Sequence, residues 1–387
     1  MSSATGSPGA RGRRAIVLIP GIRQEERFRR RDVLVSNLAA VETWPLARGE
    51  RIKVAGETAQ RLTARPVRGE GQPSGPDLDV FEAYWADMVP AEAEVGPWQK
   101  LGHGLDLLAY WLFSWRTWRA LAVSRYITIG LMFGGLIMVL WYVALVLLVV
   151  DALRTDETTA ALAAIPVVGF LLDWFFRAAD QIGRWYWWAL IAFVLSFVRV
   201  DALVQLARFV KDYFENRPDE FEVGLRDRLR QRIGTTLGNV LAEPYEEVFI
   251  VAHSFATTPV LDLLADWPHR GDFRRLRLVT LGSPIAVLSY RSKWLQAELE
   301  QILNLPELEV WFDFHAPTDW LCTAIPGHAE RYGQMSRKLE FEAPLRQRLT
   351  GQTHMLYYRH PAVLELLAAP CPLPGTKAAA PSERQAA

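Results

Sequence analysis

The sequence predicts an α/β fold: a doubly wound, mostly parallel sheet carrying an inserted helical hairpin that crosses a membrane. Three observations predict it. Short β-branched and aromatic runs recur along the chain, most of them followed by a helix-length segment, the pattern of strand–helix units. One of these runs, Val248-Phe249-Ile250-Val251, is apolar throughout, as expected of a strand buried on both faces. Between two groups of such runs lies Tyr126–Val150, about 25 residues without a charge.

Composition narrows the function classes. The 387 residues include 43 basic and 43 acidic side chains, so no global charge argues for a nucleic-acid partner. The 15 tryptophans are many for a soluble domain and suit aromatic belts at a membrane interface. The two cysteines, Cys322 and Cys371, have no metal-ligand spacing, and a reducing compartment is expected. The first 13 residues are small, polar and basic, with no signal-peptide core after them, so they are expected to be disordered and cytosolic. The tail 368–387, rich in Ala, Pro and charge, is also expected to be disordered.

Taken in order, 14–19 reads as a strand ending at Pro20-Gly21-Ile22-Arg23, where the glycine permits an unusual turn. A helix is expected over 24–42, and 50–68 alternates weakly, as one or two edge strands would. Gly69 to Pro76 is a Gly/Pro loop, and 79–85 a strand. After the membrane region, Val223, Leu225, Leu229, Ile233, Leu237 and Leu241 mark an amphipathic helix. Strands are expected at 276–281 and 308–314, and helices at 257–267 and 291–303. This gives a first sheet-domain part over 14–104, a membrane-associated insertion over 105–215 and a second sheet-domain part over 216–367.

Within the insertion, 126–150 is long enough to span a hydrocarbon core, which needs roughly 20 residues. The apolar segments 160–176 and 185–198 are shorter, and each can span or lie in the interface. Strands flank the insertion on both sides, so one sheet requires an even number of crossings. Two crossings, 126–150 out and 185–198 back, are the simplest. Arg116, Arg119 and Arg125 precede the hairpin, and Arg199, Arg208 and Lys211 follow it. The loop between holds Arg154, Arg177 and Arg184 against five acids. The positive-inside rule then places the sheet domain in the cytoplasm of a two-pass membrane protein.

The chemistry centres on 248–256. A buried strand runs into Ala252-His253-Ser254-Phe255-Ala256, and a helix follows. Small residues two positions either side of a serine are what a tight strand–turn–helix elbow needs to lift Oγ clear of the backbone. Sites in doubly wound sheets lie at the carboxyl ends of strands. Four candidates sit at such ends or in the loops that follow: the Gly21-Ile22 turn, Ser254, Asp319 and His354. Asp313 competes for the acid role but lies within its strand. His360, beside Pro361 at the start of the last helix, and His315 compete with His354. His253 reads as a packed neighbour, Ser283 as structural, and His103, His269 and His328 as surface residues. Arg23 stands beside the Gly21 turn as either a headgroup contact or a solvated side chain. No phosphate loop, metal cluster or dinucleotide fingerprint is visible, so no cofactor or metal is expected.

Together these motifs resemble the α/β-hydrolase family, in its lipase/esterase-like branch. Pro20-Gly21-Ile22 resembles the oxyanion loop, with proline where the family usually has histidine. Residues 252–256 resemble the nucleophile elbow, with alanine replacing both glycines. Leu281-Gly282-Ser283-Pro284 resembles a lipase-like strand end, Ala316-Pro317-Thr318-Asp319 the acid turn, and Thr353-His354 the histidine position. The resemblance covers about 15–90 and 220–366 and implies Ser254 as nucleophile, His354 as base and Asp319 as its orienting acid. It assigns the oxyanion hole to the backbone N–H groups of Ile22 and Phe255. It implies cleavage of a carboxylic, lipid-like ester through an acyl-enzyme, with the bilayer and an acyl-ester substrate as partners. The same fold also serves thioesterases and acyltransferases, and a catalytically silent membrane-anchored scaffold is a further alternative. Nothing in the sequence specifies an oligomeric state.

Overall fold

The strands that build the sheet are β1 (Arg13–Ile19), β2 (Leu46–Val54), β3 (Glu57–Ala64), β4 (Asp77–Glu82), β5 (Glu247–His253), β6 (Leu276–Leu281), β7 (Trp311–His315) and β8 (Ser336–Lys338). A computed structural model describes residues 13–22, 25–65, 76–89, 200–218, 222–349 and 351–369, with isolated helical positions between 106 and 177. The strands form one mixed sheet in the order β2-β3-β4-β1-β5-β6-β7-β8. From β4 across to β8 every pairing is parallel, while β2–β3 and β3–β4 are antiparallel. The protein is therefore of the α/β class.

Flanking helices are α1 (Arg29–Leu38), α3 (Leu225–Leu241), α4 (Thr257–Ala265), α6 (Lys293–Leu303) and α9 (Pro361–Ala368). Leu34, Val35 and Leu38 of α1 and Val363, Leu364 and Leu367 of α9 share one core with Ile16, Leu18, Phe249 and Val251 of the central strands. The intervening strand residues Ala15, Val17, Ile250 and Ala252 point to the opposite face and are equally buried. Both faces are thus covered, which is why β1 and β5 read as unbroken apolar runs.

The chain divides into two compact units. One, of residues 1–87, 228–285 and 294–387, holds the whole sheet. The other comprises 88–227 and 286–293. In this second unit α2 (Val200–Glu215) contributes Lys211, which pairs with Asp106 and lies 5.2 Å from the Tyr110 ring centroid. Arg291 lies over the same ring at 3.6 Å, and Trp111 Nε1 donates to the Ala207 carbonyl (3.4 Å).

Several elements differ from the expectation, each for a local reason. The helix expected over 24–42 runs only from Arg29 to Leu38, because Phe28 takes a left-handed conformation (φ 72°) and Tyr84 Oη holds the Glu25 carbonyl outside the helix. The weak 50–68 stretch is a full hairpin, β2–β3, turning at Ala55 and Gly56, both with positive φ, as a two-residue hairpin turn demands. The strand expected over 79–85 ends at Glu82; after the Ala83 N–H bonds the Leu18 carbonyl, the chain turns into a 3₁₀ segment at Ala86–Met88. The strand expected from 308 starts at Trp311, where pairing with Leu278 begins. The helix expected over 291–303 is α6, starting at Lys293, and a separate helix, α5 (Ile285–Arg291), precedes it. Arg13 lies in β1 rather than in a disordered terminus. The expected crossings 126–150 and 185–198 lie outside the described residues, apart from four helical positions in the first. Among the described residues, no helix is long and apolar enough to cross a membrane.

Candidate active site

The sheet order reverses beside β1. The chain leaves β1 toward β4 on one side and resumes with β5 on the other, so β1 and β5 flank the topological switch point. The crevice outside their carboxyl ends is where open α/β sheets place ligands. Gly21 follows β1 and Ser254 follows β5.

These two residues are in contact. A Cβ on Gly21 would stand 2.8 Å from Ser254 Cβ and 3.2 Å from both Nδ1 and the carbonyl oxygen of His253. Only glycine fits there, and the reason is close approach. Trp85 Nε1 donates to the Pro20 carbonyl (2.9 Å) and holds the turn from below. Ser254 itself has φ 59°, the left-handed region, between an extended His253 and a 3₁₀ turn, Ser254–Ala256, that opens α4. Such a conformation costs a non-glycine residue about 1–3 kcal/mol and persists only where the surroundings impose it. Ala252 and Ala256 are fully buried on either side, so nothing larger would fit this elbow. Ser254 is half-buried, while Phe255 is buried with its ring 6.4 Å from that of Trp85. Ile22 is half-buried beside Gly21.

On the next strand, Gly282 follows β6 with φ +60°, and its N–H bonds the Phe314 carbonyl. A Cβ there would meet Tyr357 Cε2 at 2.7 Å and His354 Cε1 at 3.1 Å. His253 pairs in register with Leu281, so Ser254 and Gly282 each follow directly on neighbouring strands. His354 thus borders Gly282, on the strand next to the one that Ser254 follows.

His354 Nδ1 donates to Asp319 Oδ2 at 2.6 Å, and both side chains are buried. Burial pushes the Asp319 carboxyl up, but His354 and the further donors outweigh it and hold the group below its usual range. The carboxylate therefore receives the Nδ1–H and leaves Nε2 as the open position of the ring. Nε2 is buried and has no hydrogen-bond partner among the described residues. Asp319 is anchored further: Oδ1 accepts the Leu321 N–H (3.1 Å), and Oδ2 also accepts Tyr357 Oη (3.1 Å). Cys322 Sγ lies 3.0 Å from the same phenol. Burial raises both Tyr357 and Cys322 well above their ordinary values, so both stay protonated.

His253 is fully buried and donates Nε2–H to the His354 carbonyl (2.8 Å), with the two rings 4.6 Å apart. Burial first, and then His354, lower it to about 3, so it stays neutral and serves as a packed prop.

The competing residues go elsewhere. Asp313 accepts Thr280 Oγ1 (2.8 Å) and the Ile325 N–H (3.1 Å), and it lies 3.5 Å from His315 Nδ1. His360 caps α9, its Nδ1 accepting the Ala362 N–H. Ser283 is buried and accepts the Ile285 N–H. His269 is exposed, but His328 is buried, contrary to the surface expectation; it donates Nε2–H to the Trp311 carbonyl (3.0 Å). His103 and Arg23 lie outside the described residues. Among the described residues no group of three or more His, Cys, Asp or Glu side chains is placed to hold a metal ion.

Sequence reasoning missed Tyr357, Cys322 and Trp85. Tyr357 left a signal. It lies three residues after His354 in a 3₁₀ segment, Gln352–Arg359, where side chains at i and i+3 eclipse, so both reach Asp319. Compared with known protein families, curated proteins and solved structures, the chain matches none.

Proposed function

We propose that the chain is a serine hydrolase of the α/β-hydrolase, lipase/esterase-like type that cleaves carboxylic esters through an acyl-enzyme. The observation that carries this reading is the buried Asp319–His354 couple with its Nε2 open, in a fold that also holds a serine in a strained turn at the switch point. In this mechanism Ser254 Oγ attacks the ester carbonyl while His354 Nε2 takes its proton. Asp319 steadies the resulting imidazolium. The Phe255 and Ile22 backbone N–H groups bind the oxyanion; losing one such donor typically costs about 100- to 1,000-fold in rate. The tetrahedral intermediate collapses, and His354 returns the proton to the leaving alcohol. Water, deprotonated by the same nitrogen, then attacks the acyl-enzyme and releases the acid and the serine.

A lipid-like ester is the proposed substrate class, because the charge-free 126–150 and the aromatic 185–198 segment suit a membrane hairpin that anchors the hydrolase to the cytoplasmic face. The test is fluorophosphonate labelling of the detergent-solubilised protein, wild type beside Ser254→Ala. Labelling of the wild type alone is expected. A folded wild type that does not label, or a mutant that still labels, removes Ser254 as the nucleophile.

A further inference from the structure

The outer face of α1 carries an open groove of about 670 Å³ that includes none of Ser254, Asp319 and His354. Positions 29, 32, 33 and 36 follow helical spacing, so one stripe of α1 forms its floor. Arg51 of β2 and Arg359, at the end of the 3₁₀ segment, also line it.

Charge in this groove is unbalanced. Asp32 is already engaged: Arg31 Nη2 approaches it at 3.0 Å, Arg51 Nη2 at 3.2 Å and Arg48 Nη2 at 3.8 Å. Arg27, Arg29 and Arg359 have no ion pair among the described residues, and the other acid of the lining is Glu26. Arg27 lies against the Phe28 ring instead (4.9 Å). The neutral polar groups of the floor are spent: Ser36 Oγ donates to the Asp32 carbonyl and Asn37 Nδ2 to the Tyr358 carbonyl. What remains to meet a ligand is a set of exposed guanidinium forks, whose paired N–H groups match phosphate oxygens two at a time. The volume lies within the range of small-ligand sites, roughly 300–1,000 Å³.

We propose that this groove binds a phosphate-bearing anion, gripped by Arg29 and Arg359 with Arg27 and Arg51 at its rim. The source is either a soluble phosphomonoester or the headgroup of an anionic lipid, and the test separates the two. The full-length protein in non-ionic detergent is titrated calorimetrically with glycerol 3-phosphate. In parallel it is floated with phosphatidylcholine vesicles, with and without phosphatidic acid. The variants are Arg29→Gln/Arg359→Gln, each single substitution, and a control, Lys338→Gln, exposed on β8 at the opposite edge of the sheet. Melting curves verify that each folds.

Binding of at least one phosphate probe is expected, weakening with added salt. The double variant should lose about tenfold or more in affinity, each single about threefold, and the control less than about twofold. Binding of glycerol 3-phosphate assigns a soluble ligand; binding of phosphatidic acid vesicles alone assigns a lipid headgroup. The proposal is overturned if neither probe binds above its phosphate-free control, or if the double variant binds like the wild type. It is equally overturned if Lys338→Gln weakens binding as much, because the effect would then be diffuse charge. Ser254→Ala should bind both probes unchanged, so this result stands apart from the fate of the hydrolase reading.

Discussion

Tyr357 Oη donates to the same Asp319 oxygen that receives the His354 ring, at 3.1 and 2.6 Å respectively. The phenol therefore helps to hold the carboxylate ionised. Tyr357→Phe removes that donor, and the Asp319 pKa climbs back toward the ordinary range. An aspartate held low contributes stability that is present above its unfolded pKa and lost as pH falls through its folded value. The variant should thus lose about 1 kcal/mol near neutral pH, and its denaturant-derived stability should fall less between about pH 6 and 3 than that of the wild type. Asp319→Asn should be far more severe in rate, about four orders of magnitude, because His354 would adopt the wrong tautomer. Denaturant titrations across that pH range check the first and labelling rates the second; a Tyr357→Phe variant whose stability follows the wild type at every pH would remove the phenol from the support of Asp319.

His253 makes a second pH prediction. Its folded pKa of about 3 lies below the ordinary 6.5, so the unfolded chain binds the proton more readily. The sign follows: this histidine costs nothing above about pH 6.5, and below it stability falls with decreasing pH toward the folded value. The slope approaches about 1.4 kcal/mol per pH unit. His253→Gln keeps a donor for the His354 carbonyl and does not titrate, so its denaturant-derived stability should vary less between pH 6 and 4 than that of the wild type. His253→Phe lacks the donor and should lower kcat with little change in KM, while the glutamine variant restores much of it.

Gly21→Ala places a methyl group against Ser254 Cβ at 2.8 Å and His253 Nδ1 at 3.2 Å. Neither neighbour is a flexible side-chain end, so the loop must shift, at about 1–3 kcal/mol. Labelling of Ser254 should slow markedly and the melting temperature should fall. A variant that labels like the wild type would mean that the Pro20-Gly21-Ile22 turn does not shape the site.

The proposed hairpin predicts that a reporter fused at Asp156 reads as translocated while one at the amino terminus reads as cytoplasmic. A cytoplasmic signal at Asp156 would defeat the two-crossing topology.

The positions of Gly21 and Ser254 were legible because each directly follows a strand, and β5, β6 and the elbow are marked by local apolar runs and small residues, whereas Asp319 lies in the loop after β7 and His354 in the 3₁₀ segment Gln352–Arg359, well past β8. Which carboxylate meets which histidine was not legible. Asp313 and Asp319 are six residues apart, and only the path of the chain after β7 sends one to Thr280 and the other to His354. His328 looked like a surface residue because sequence carries no record of the Trp311 carbonyl that receives it inside. The boundaries of α1 and β4 were misjudged because Tyr84 and Ala83 make bonds across the fold that cut both elements short.

By itself the sequence determined the α/β class, the order of the candidate residues along the chain and the apolar stretch that separates two groups of strands in the sequence, all of them properties of local patterning. Tertiary structure decided the reversal of strand order between β1 and β5, the contact of Gly21 with the Ser254 elbow and the convergence of His354, Tyr357 and Cys322 on Asp319. These join residues dozens to hundreds of positions apart, and short-range periodicity carries no information about such loops until the hydrophobic core closes them.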